Sequence, residues 1–159
     1  MTASETRTPR LAVYRLQADA SRAMNALDAA VADIGLEPSL RELVKLRASQ
    51  INGCAYCIDM HWKDARAAGE SEQRLYGLAA WQESPYYTDR ERAAFAWTEA
   101  VTNLADGHVP DAAYDAARSH FSERELADLT WAVAAINAWN RVAIAARAEA
   151  GSYRPGQYG

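Results

Sequence analysis

Apolar residues recur every three or four positions along most of this chain, which is the spacing of one face of an α-helix. In the segment 40–51, for example, leucine, valine and isoleucine occupy positions 40, 43, 44, 46 and 51. Runs in which apolar and polar residues alternate, as in half-buried strands, are missing, and alanine is the commonest residue. The pattern therefore predicts an all-α protein.

Start and stop signals divide the chain into about seven predicted helices. Thr8 followed by proline is typical of a helix start. Asn52–Gly53 is typical of a helix end, where the glycine adopts the left-handed conformation. The segments 88–91 and 122–125 have the spacing of capping boxes, in which Ser or Thr and Glu satisfy the first N–H groups of a helix. The predicted helices are 8–33, 38–52, 54–68, 71–81, 88–104, 110–120 and 122–150.

These helices predict a single compact domain over residues 10–150. We expect a flexible segment at residues 1–9 and a loose C-terminal tail at residues 151–159, which contains glycine and proline. The chain has 159 residues, near the usual size of one domain, and half of them are hydrophobic, which is enough for a core.

Charge and hydropathy exclude some kinds of partner. The 17 Lys and Arg residues are interleaved with 21 Asp and Glu residues, for a net charge of −4, so no basic patch favours nucleic acid. No apolar run reaches the ~18 residues of a membrane span. The N-terminus lacks the apolar segment of a secretory signal, so we expect a cytoplasmic protein.

The two cysteines, Cys54 and Cys57, form a CxxC motif. A pair this close encloses almost no loop, so a disulfide between them could not stabilise the fold. In a reducing compartment such a pair is typically redox-active or metal-binding. Cys54 falls in the first turn of a predicted helix, where unpaired N–H groups and the helix dipole favour a thiolate.

An imidazole and a carboxylate can complete a site around these thiols. His61 follows Cys57 by four residues, so both lie on one face of the helix, and imidazole can take a proton from a thiol at neutral pH. A second thiol can condense with a sulfenic acid to give a disulfide, which an external dithiol then reduces. Glu42 lies 12 residues before Cys54 and could fold back over the helix to orient His61.

The motif resembles the alkylhydroperoxidase D-like branch of the carboxymuconolactone decarboxylase superfamily. The resemblance covers roughly residues 36–148 and rests on Glu42, the Cys54-Ala55-Tyr56-Cys57 run and His61. Less specific features that also fit are Ala67-Ala68-Gly69, Thr88-Asp89-Arg90-Glu91 and Ile136-Asn137-Ala138-Trp139-Asn140-Arg141.

The resemblance implies a compact helical fold that assembles as trimers or hexamers and reduces hydroperoxides with thiols. By this analogy Cys57 attacks the peroxide, Cys54 resolves the sulfenic acid, and His61 is the base, with Glu42 relaying the proton through it. The redox-active cysteine pair needs no further cofactor. The implied partners are a hydroperoxide substrate and a dithiol reductant protein of the lipoyl or thioredoxin-like kind.

The chain departs from the family at one position. The well-studied alkylhydroperoxidases carry a histidine immediately before the second cysteine, where this chain has Tyr56. A phenol, with an ordinary pKa of about 10, is a poor base near neutral pH, so the departure bears on the efficiency of peroxide reduction and on its substrate. Tyr56 and Trp62 flank the cysteines, and we predict that both contact the substrate.

Other interpretations of the motif stay open. The protein could be a redox-sensing or disulfide-exchange adaptor that never turns over peroxide. The cysteines, His61 and Glu42 could instead bind zinc, or the cysteines could be two unreactive buried thiols. Thioredoxin itself is excluded, because it requires a βαβ context that this sequence lacks.

Overall fold

The computed structural model describes residues 8–33 and 35–158, and all regular structure within these ranges is helical. The elements are α1 (Val13–Leu16), α2 (Ala18–Ala32), α3 (Pro38–Asn52), α4 (Ala55–Ala67), α5 (Glu72–Gly77), a 3₁₀ turn (Leu78–Ala80), α6 (Asp89–Thr102), α7 (Asp111–Arg118) and α8 (Glu123–Ala146). The predicted all-α fold is confirmed. None of the described helices is long and apolar enough to cross a membrane.

Helix α3 lies at the centre of the fold, in contact with α4, α6 and α8. Because helices surround it, α3 buries residues on more than one face, among them Leu43 and Val44. Phe95 of α6 and Leu129 of α8 pack in the same core. Each such side chain stabilises the fold by about 1.5–3 kcal/mol relative to an exposed one, so α3 is firmly held and its polar residues are fixed in place.

Local capping signals set most helix ends where the sequence predicts them. Gly53, with φ of 69°, ends α3 in the left-handed region, which favours glycine. Both predicted capping boxes form: Thr88 caps α6 with Glu91, and Ser122 caps α8 with Glu125. These contacts lie within four residues of one another, and so they can be inferred without knowledge of the fold.

The predicted first helix, 8–33, is wrong at its start and is not continuous. Its first turn begins at Val13 rather than at Thr8, and a break at Gln17, with φ of −127° and ψ of 65°, separates α1 from α2. The reason lies at the other end of the chain. Arg10 donates its backbone N–H to the carbonyl of Ala146 and its Nε to the carbonyl of Ala145, which holds residues 8–12 against the end of α8. Residues 1–7 of the segment predicted to be flexible lie outside the described part of the chain.

The C-terminal tail is not loose over residues 151–158 but lies along α4. Tyr153 is buried, and its hydroxyl donates to the carboxylate of Asp64 at 2.8 Å. Lys63 donates to the backbone carbonyls of Gly151 and Tyr153 at 3.0 and 3.1 Å. Glycine and proline content indicates a turn-rich chain, and here the turns bring polar groups of the tail to partners on α4.

Candidate active site

The cysteine pair lies at the corner between α3 and α4. Gly53 turns the chain, and Cys54 is the N-cap residue of α4, with its sulfur accepting a hydrogen bond from the backbone N–H of Cys57 at 3.4 Å. Both thiols are free, and the residues are only 1% and 2% exposed. The corner therefore places two buried sulfurs at the positive end of a helix.

The two thiols have different acidities. A hydrogen bond from the Cys57 thiol lowers the pKa of Cys54 to about 7, against the effect of burial, and the backbone N–H groups of Cys57 and Tyr56 and the Asn140 amide act in the same direction. The pKa of Cys57 is raised, because its thiol donates to Cys54 and because it is buried beside a second sulfur. The resting pair thus carries one thiolate near neutral pH, and it resides on Cys54.

The sulfurs lie in a small apolar cluster apart from the main core. Its buried members besides the cysteines are Ala48, Ile136 and Ala143. Partly buried side chains pack around it, those of Tyr56, Trp139 and Ala148. Because such surroundings exclude water, each hydrogen bond to a sulfur counts for more than it would in solvent.

His61 lies one turn beyond Cys57 on the same helix, and the structure brings Glu42 of α3 to it, as the spacing predicts. Nδ1 of His61 lies 2.9 Å from Oε2 of Glu42. His61 is 4% exposed, and its Nε2 has no hydrogen-bond partner among the described residues. The hydrogen bond at Nδ1 therefore fixes the orientation of the imidazole, and Nε2 is left available to react.

The charge state of Glu42 fixes the roles of the two ring nitrogens. Burial raises the pKa of Glu42, but the hydrogen bond and charge of His61, with the charges of Lys45 and Arg41, outweigh it, and the pKa lies below its usual value. An ionised carboxylate only accepts hydrogen bonds, so Nδ1 of His61 carries the hydrogen. In the neutral ring Nε2 then offers a lone pair, as a base must.

Asp64 is a member of this polar group that sequence reasoning missed. One oxygen each of Glu42 and Asp64 and a ring nitrogen of His61 lie within 4.8 Å of one another. A pocket of about 160 Å³ opens beside Glu42, lined also by Ser39, Ala65, Ala68, Gly69 and Glu70. Asp64 follows His61 by three residues, so helical spacing was the signal that could have found it.

The structure does not assemble the zinc ligands that the sequence left open. Among the described residues, the side chains close enough to share a metal ion are Glu42, His61 and Asp64. Neither Cys54 nor Cys57 belongs to that group. Instead, the Cys57 thiol donates a hydrogen bond to the Cys54 sulfur, which also accepts from the backbone N–H of Cys57 at the start of α4.

The two residues predicted to contact substrate lie in different environments. Tyr56 packs on the cysteine cluster, and its hydroxyl donates to that of Tyr158 in the tail at 2.9 Å. Trp62 packs against the main core instead, so it is not part of the cysteine cluster. Trp139 covers the cluster from α8, and the ring of Tyr14 lies 6.2 Å from that of Trp139. Because these contacts join distant parts of the chain, no local sequence signal marks them.

A family model and a curated relative both match this chain over more than half of its length. A family model described as carboxymuconolactone decarboxylase matches residues 18–100, more than half of the chain. The uncharacterized protein YdfG of Bacillus subtilis is 40% identical over 136 residues, which cover 86% of this chain and 92% of YdfG.

Solved structures share the fold. The protein ATU0492 of Agrobacterium tumefaciens, described as of unknown function and as a candidate antioxidant-defence protein AhpD, superposes with a TM-score of 0.89 at 42% identity, over 92% of this chain and all of that one. The debrominase Bmp8 superposes with a TM-score of 0.78 at 20% identity, over 86% of this chain and 73% of Bmp8. At that identity the likeness to Bmp8 extends to the fold alone.

Proposed function

The chain belongs to the carboxymuconolactone decarboxylase family and has an AhpD-like fold, and on this premise we propose that it is a thiol-dependent peroxidase. One observation carries the proposal: a CxxC pair that holds a thiolate near neutral pH lies one helical turn from a buried imidazole, which a carboxylate orients. Membership of the family does not by itself imply this chemistry. Here Cys57 provides a nucleophile, Cys54 a resolving thiol and His61 a base.

The first step is attack by Cys57 on a hydroperoxide. The pKa of the Cys57 thiol is raised by its neighbour Cys54 and by burial, so it needs a base, and Nε2 of His61 is the free nitrogen on the same helix face. The S–O bond forms as the O–O bond breaks, which leaves a sulfenic acid on Cys57. The proton taken by His61 passes to the leaving alkoxide, which departs as an alcohol.

The second step forms a disulfide. Cys54, with a pKa of about 7 because of its hydrogen bonds, is about half ionised at neutral pH, and its thiolate attacks the sulfenic sulfur of Cys57. The S–S bond forms, and hydroxide leaves with a proton as water. A dithiol protein of the lipoyl or thioredoxin-like kind then reduces the disulfide by exchange and is itself oxidised. In this cycle the cysteine pair is the only redox group that the chain requires.

Steady-state assays on two variants test the proposal. We expect the reduced protein to consume tert-butyl hydroperoxide with dihydrolipoamide as reductant. Cys57→Ser abolishes turnover, because no sulfur remains to attack, whereas Cys54→Ser stops after the first step. Full turnover by Cys57→Ser would show that these roles are wrongly assigned, and no turnover by the wild-type chain with any hydroperoxide would reject the peroxidase.

Disulfide exchange without peroxide turnover is a second candidate, and the acidity of Cys54 favours it. A thiol is most effective in exchange when its pKa lies near the ambient pH, and hydrogen bonds hold that of Cys54 at about 7. In this adaptor role Cys54 attacks a partner disulfide and Cys57 resolves the mixed disulfide. A mixed disulfide trapped on Cys54 in Cys57→Ser, together with negligible peroxide consumption by the wild type, would select this function.

We also propose that the protein works as a homo-oligomer, a trimer or hexamer, in the cytoplasm, where thiols are kept reduced. Helix α8 supports an assembly because it leaves two large apolar side chains exposed: Trp131 is 59% exposed and Ile144 is 45% exposed. Aromatic side chains are enriched in contacts between protein chains, so we expect Trp131 to lie in such a contact. Light scattering of the purified chain measures the assembly, and a monomer at micromolar concentration would contradict it.

A further inference from the structure

Helix α8 carries a buried amide beside the cysteine pair, in the Ile136–Arg141 segment. Asn140 is fully buried. A buried amide is costly unless its donors and acceptor are all used, so its presence among apolar residues calls for a structural or chemical reason.

The hydrogen bonds of Asn140 fix which way its amide points. Nδ2 of Asn140 donates to the hydroxyl of Ser49 at 3.0 Å, and Oδ1 accepts from Nδ2 of Asn52 at 2.9 Å. Ser49 uses its own hydrogen on the carbonyl of Lys45 at 2.8 Å, so its oxygen can only accept from Asn140. The oxygen and nitrogen of the Asn140 amide therefore cannot exchange places.

Asn140 lies on the face of α8 that packs on the cysteine cluster. Ile136 lies four residues before it and Ala143 three residues after it, and both pack in the cluster that contains Cys54 and Cys57. The amide nitrogen has two hydrogens, of which Ser49 takes one. The second remains to be donated within a cluster whose other side chains, apart from the thiols, offer little to accept it.

The acidities of the thiols agree with this placement. After the hydrogen bond from Cys57, which has the largest effect, the Asn140 amide is among the groups that lower the pKa of Cys54. It acts in the same direction on Cys57, against the larger opposing effects of Cys54 and of burial. A single donor thus stabilises negative charge on either sulfur.

We propose that Asn140 is a positioning residue, whose fixed amide donates a hydrogen bond to whichever sulfur of the pair carries the negative charge. The role rests on the proposed thiol chemistry, in which charge resides on Cys54 at rest and on Cys57 during attack. It accounts for the buried amide of α8, since Asn52 and Ser49 of α3 hold Asn140 in one orientation and leave its second N–H free for a sulfur.

The test is a titration of the thiolate by its ultraviolet absorbance, on the reduced full-length chain, without peroxide. We expect Asn140→Ala to raise the midpoint by about one pH unit, the scale of a hydrogen bond to a charged group, so that about tenfold less thiolate is present below the midpoint. Asn140→Asp, which matches the shape of the amide but donates nothing, raises it further. Asn140→Ser, which keeps a donor, restores part of the shift.

Asn137→Ala is the matched control, because Asn137 belongs to the same network on the same helix. Its Nδ2 donates to the hydroxyl of Thr102 and the carbonyl of Val133, and its Oδ1 accepts from Asn52, so none of these hydrogen bonds is to a sulfur. We expect this variant to lose stability on heating but to keep the wild-type midpoint. If Asn137→Ala moved the midpoint as far as Asn140→Ala, or if folded Asn140 variants titrated as the wild type does, the inference would be overturned.

Two further observations keep the test decisive. Should Asn140→Ala fail to fold, Ser49→Ala removes only the anchor of the amide, and we expect a smaller shift in the same direction; an unchanged midpoint there would count against the role. Because the titration needs no turnover, a wild-type chain that is inactive toward peroxide would reject the peroxidase and leave the Asn140 result standing. Conversely, an active wild-type chain whose Asn140 variants keep the wild-type midpoint would reject the role of Asn140 and leave the peroxidase standing.

Discussion

A few N–H groups around two buried sulfurs determine the reactivity of this chain at the scale of single residues. The Cys54 sulfur accepts from the backbone of Cys57 at the start of α4, and the thiol of Cys57 donates to it. With a pKa of about 7, set by these hydrogen bonds, Cys54 is about half ionised at neutral pH, whereas an ordinary thiol is only a few per cent ionised there. Hydrogen bonds within the site therefore lower the pKa of Cys54 before any substrate binds.

Alkylation of Cys54 by iodoacetamide should follow this acidity. Because only the thiolate reacts and the pKa is lowered, the rate should rise with pH through a midpoint near 7 and level off above it. Peptide mapping by mass spectrometry measures the rate at each cysteine separately. A midpoint near the ordinary value of 9.0 would mean that the N-cap position does not stabilise the thiolate.

Replacing Glu42 by glutamine should slow catalysis and should reduce the dependence of the free energy of unfolding on acidic pH. Without the carboxylate, His61 loses the partner that fixes its tautomer, and we expect peroxide turnover to fall about tenfold to a hundredfold. The pKa of Glu42 is lowered by His61 despite burial, so its stabilising effect is present above the ordinary value of 4.5 and is lost as the pH falls below it.

Urea unfolding at several acidic pH values checks the second part of that prediction. The wild-type free energy of unfolding should decrease more steeply below pH 4.5 than that of Glu42→Gln. Glu149→Gln, at an exposed site, is the control and should follow the wild type. Parallel curves for the wild type and Glu42→Gln would show that the contact with His61 does not favour the ionised carboxylate.

The sequence predicts most of this site because its main members lie within one helix or at its start. Cys54, Cys57 and His61 share a face of α4 by spacing alone, and Glu42 reaches them because α3 and α4 meet at Gly53. Asn140 could not be found in this way. Its contacts with Ser49 and Asn52 span 91 and 88 positions, which only the packing of α8 against α3 determines.

At the scale of helices, short-range capping explains why the end of α3 and the starts of α4, α6 and α8 could be predicted. The end of α8 could not, because the helix ends at Ala146 rather than near residue 150. The side chain and the backbone groups that form a cap lie within one turn, so their identities in the sequence are sufficient. The first helix was mispredicted for the opposite reason. Its start depends on Arg10, which is bound to the carbonyls at the end of α8, 135 positions away.

Loss of the cap on α6 should be measurable as a loss of stability. Thr88 accepts from the backbone N–H of Glu91 and caps the helix that packs on α3. We expect Thr88→Ala to lower the free energy of unfolding by about 1 kcal/mol, with Ser122→Ala costing a similar amount at α8. Chemical denaturation measures both, and a Thr88→Ala chain as stable as the wild type would show that the capping box contributes nothing to stability.

At the scale of the whole molecule, both ends of the described chain close over the cysteine corner. Tyr14 of α1 packs its ring against Trp139, which covers the sulfurs from α8. From the tail, the hydroxyl of Tyr158 meets that of Tyr56, and Tyr153 and Tyr158 stack at 5.7 Å. The burial of the two thiols is therefore a property of the complete fold rather than of the corner alone.

Removal of the chain from residue 152 onward should open the site. The truncated protein loses the contacts of Tyr153 with Asp64 and of Tyr158 with Tyr56, so we expect the thiols to react with an aromatic disulfide reagent on the order of tenfold faster. Tyr158→Phe, which keeps the ring and loses the hydroxyl bond, is the matched control and should have a smaller effect. Equal rates for all three proteins would mean that the tail does not cover the sulfurs.

Mass spectrometry after one equivalent of hydroperoxide tests the proposed thiol chemistry most directly. In the reduced wild-type chain we expect the loss of two hydrogen atoms and a disulfide between Cys54 and Cys57. In Cys54→Ser we expect a sulfenic acid on Cys57, captured by dimedone. If the peroxide were left unconsumed and both thiols stayed reduced, or if the captured sulfenic acid formed only in Cys57→Ser, the account would be contradicted.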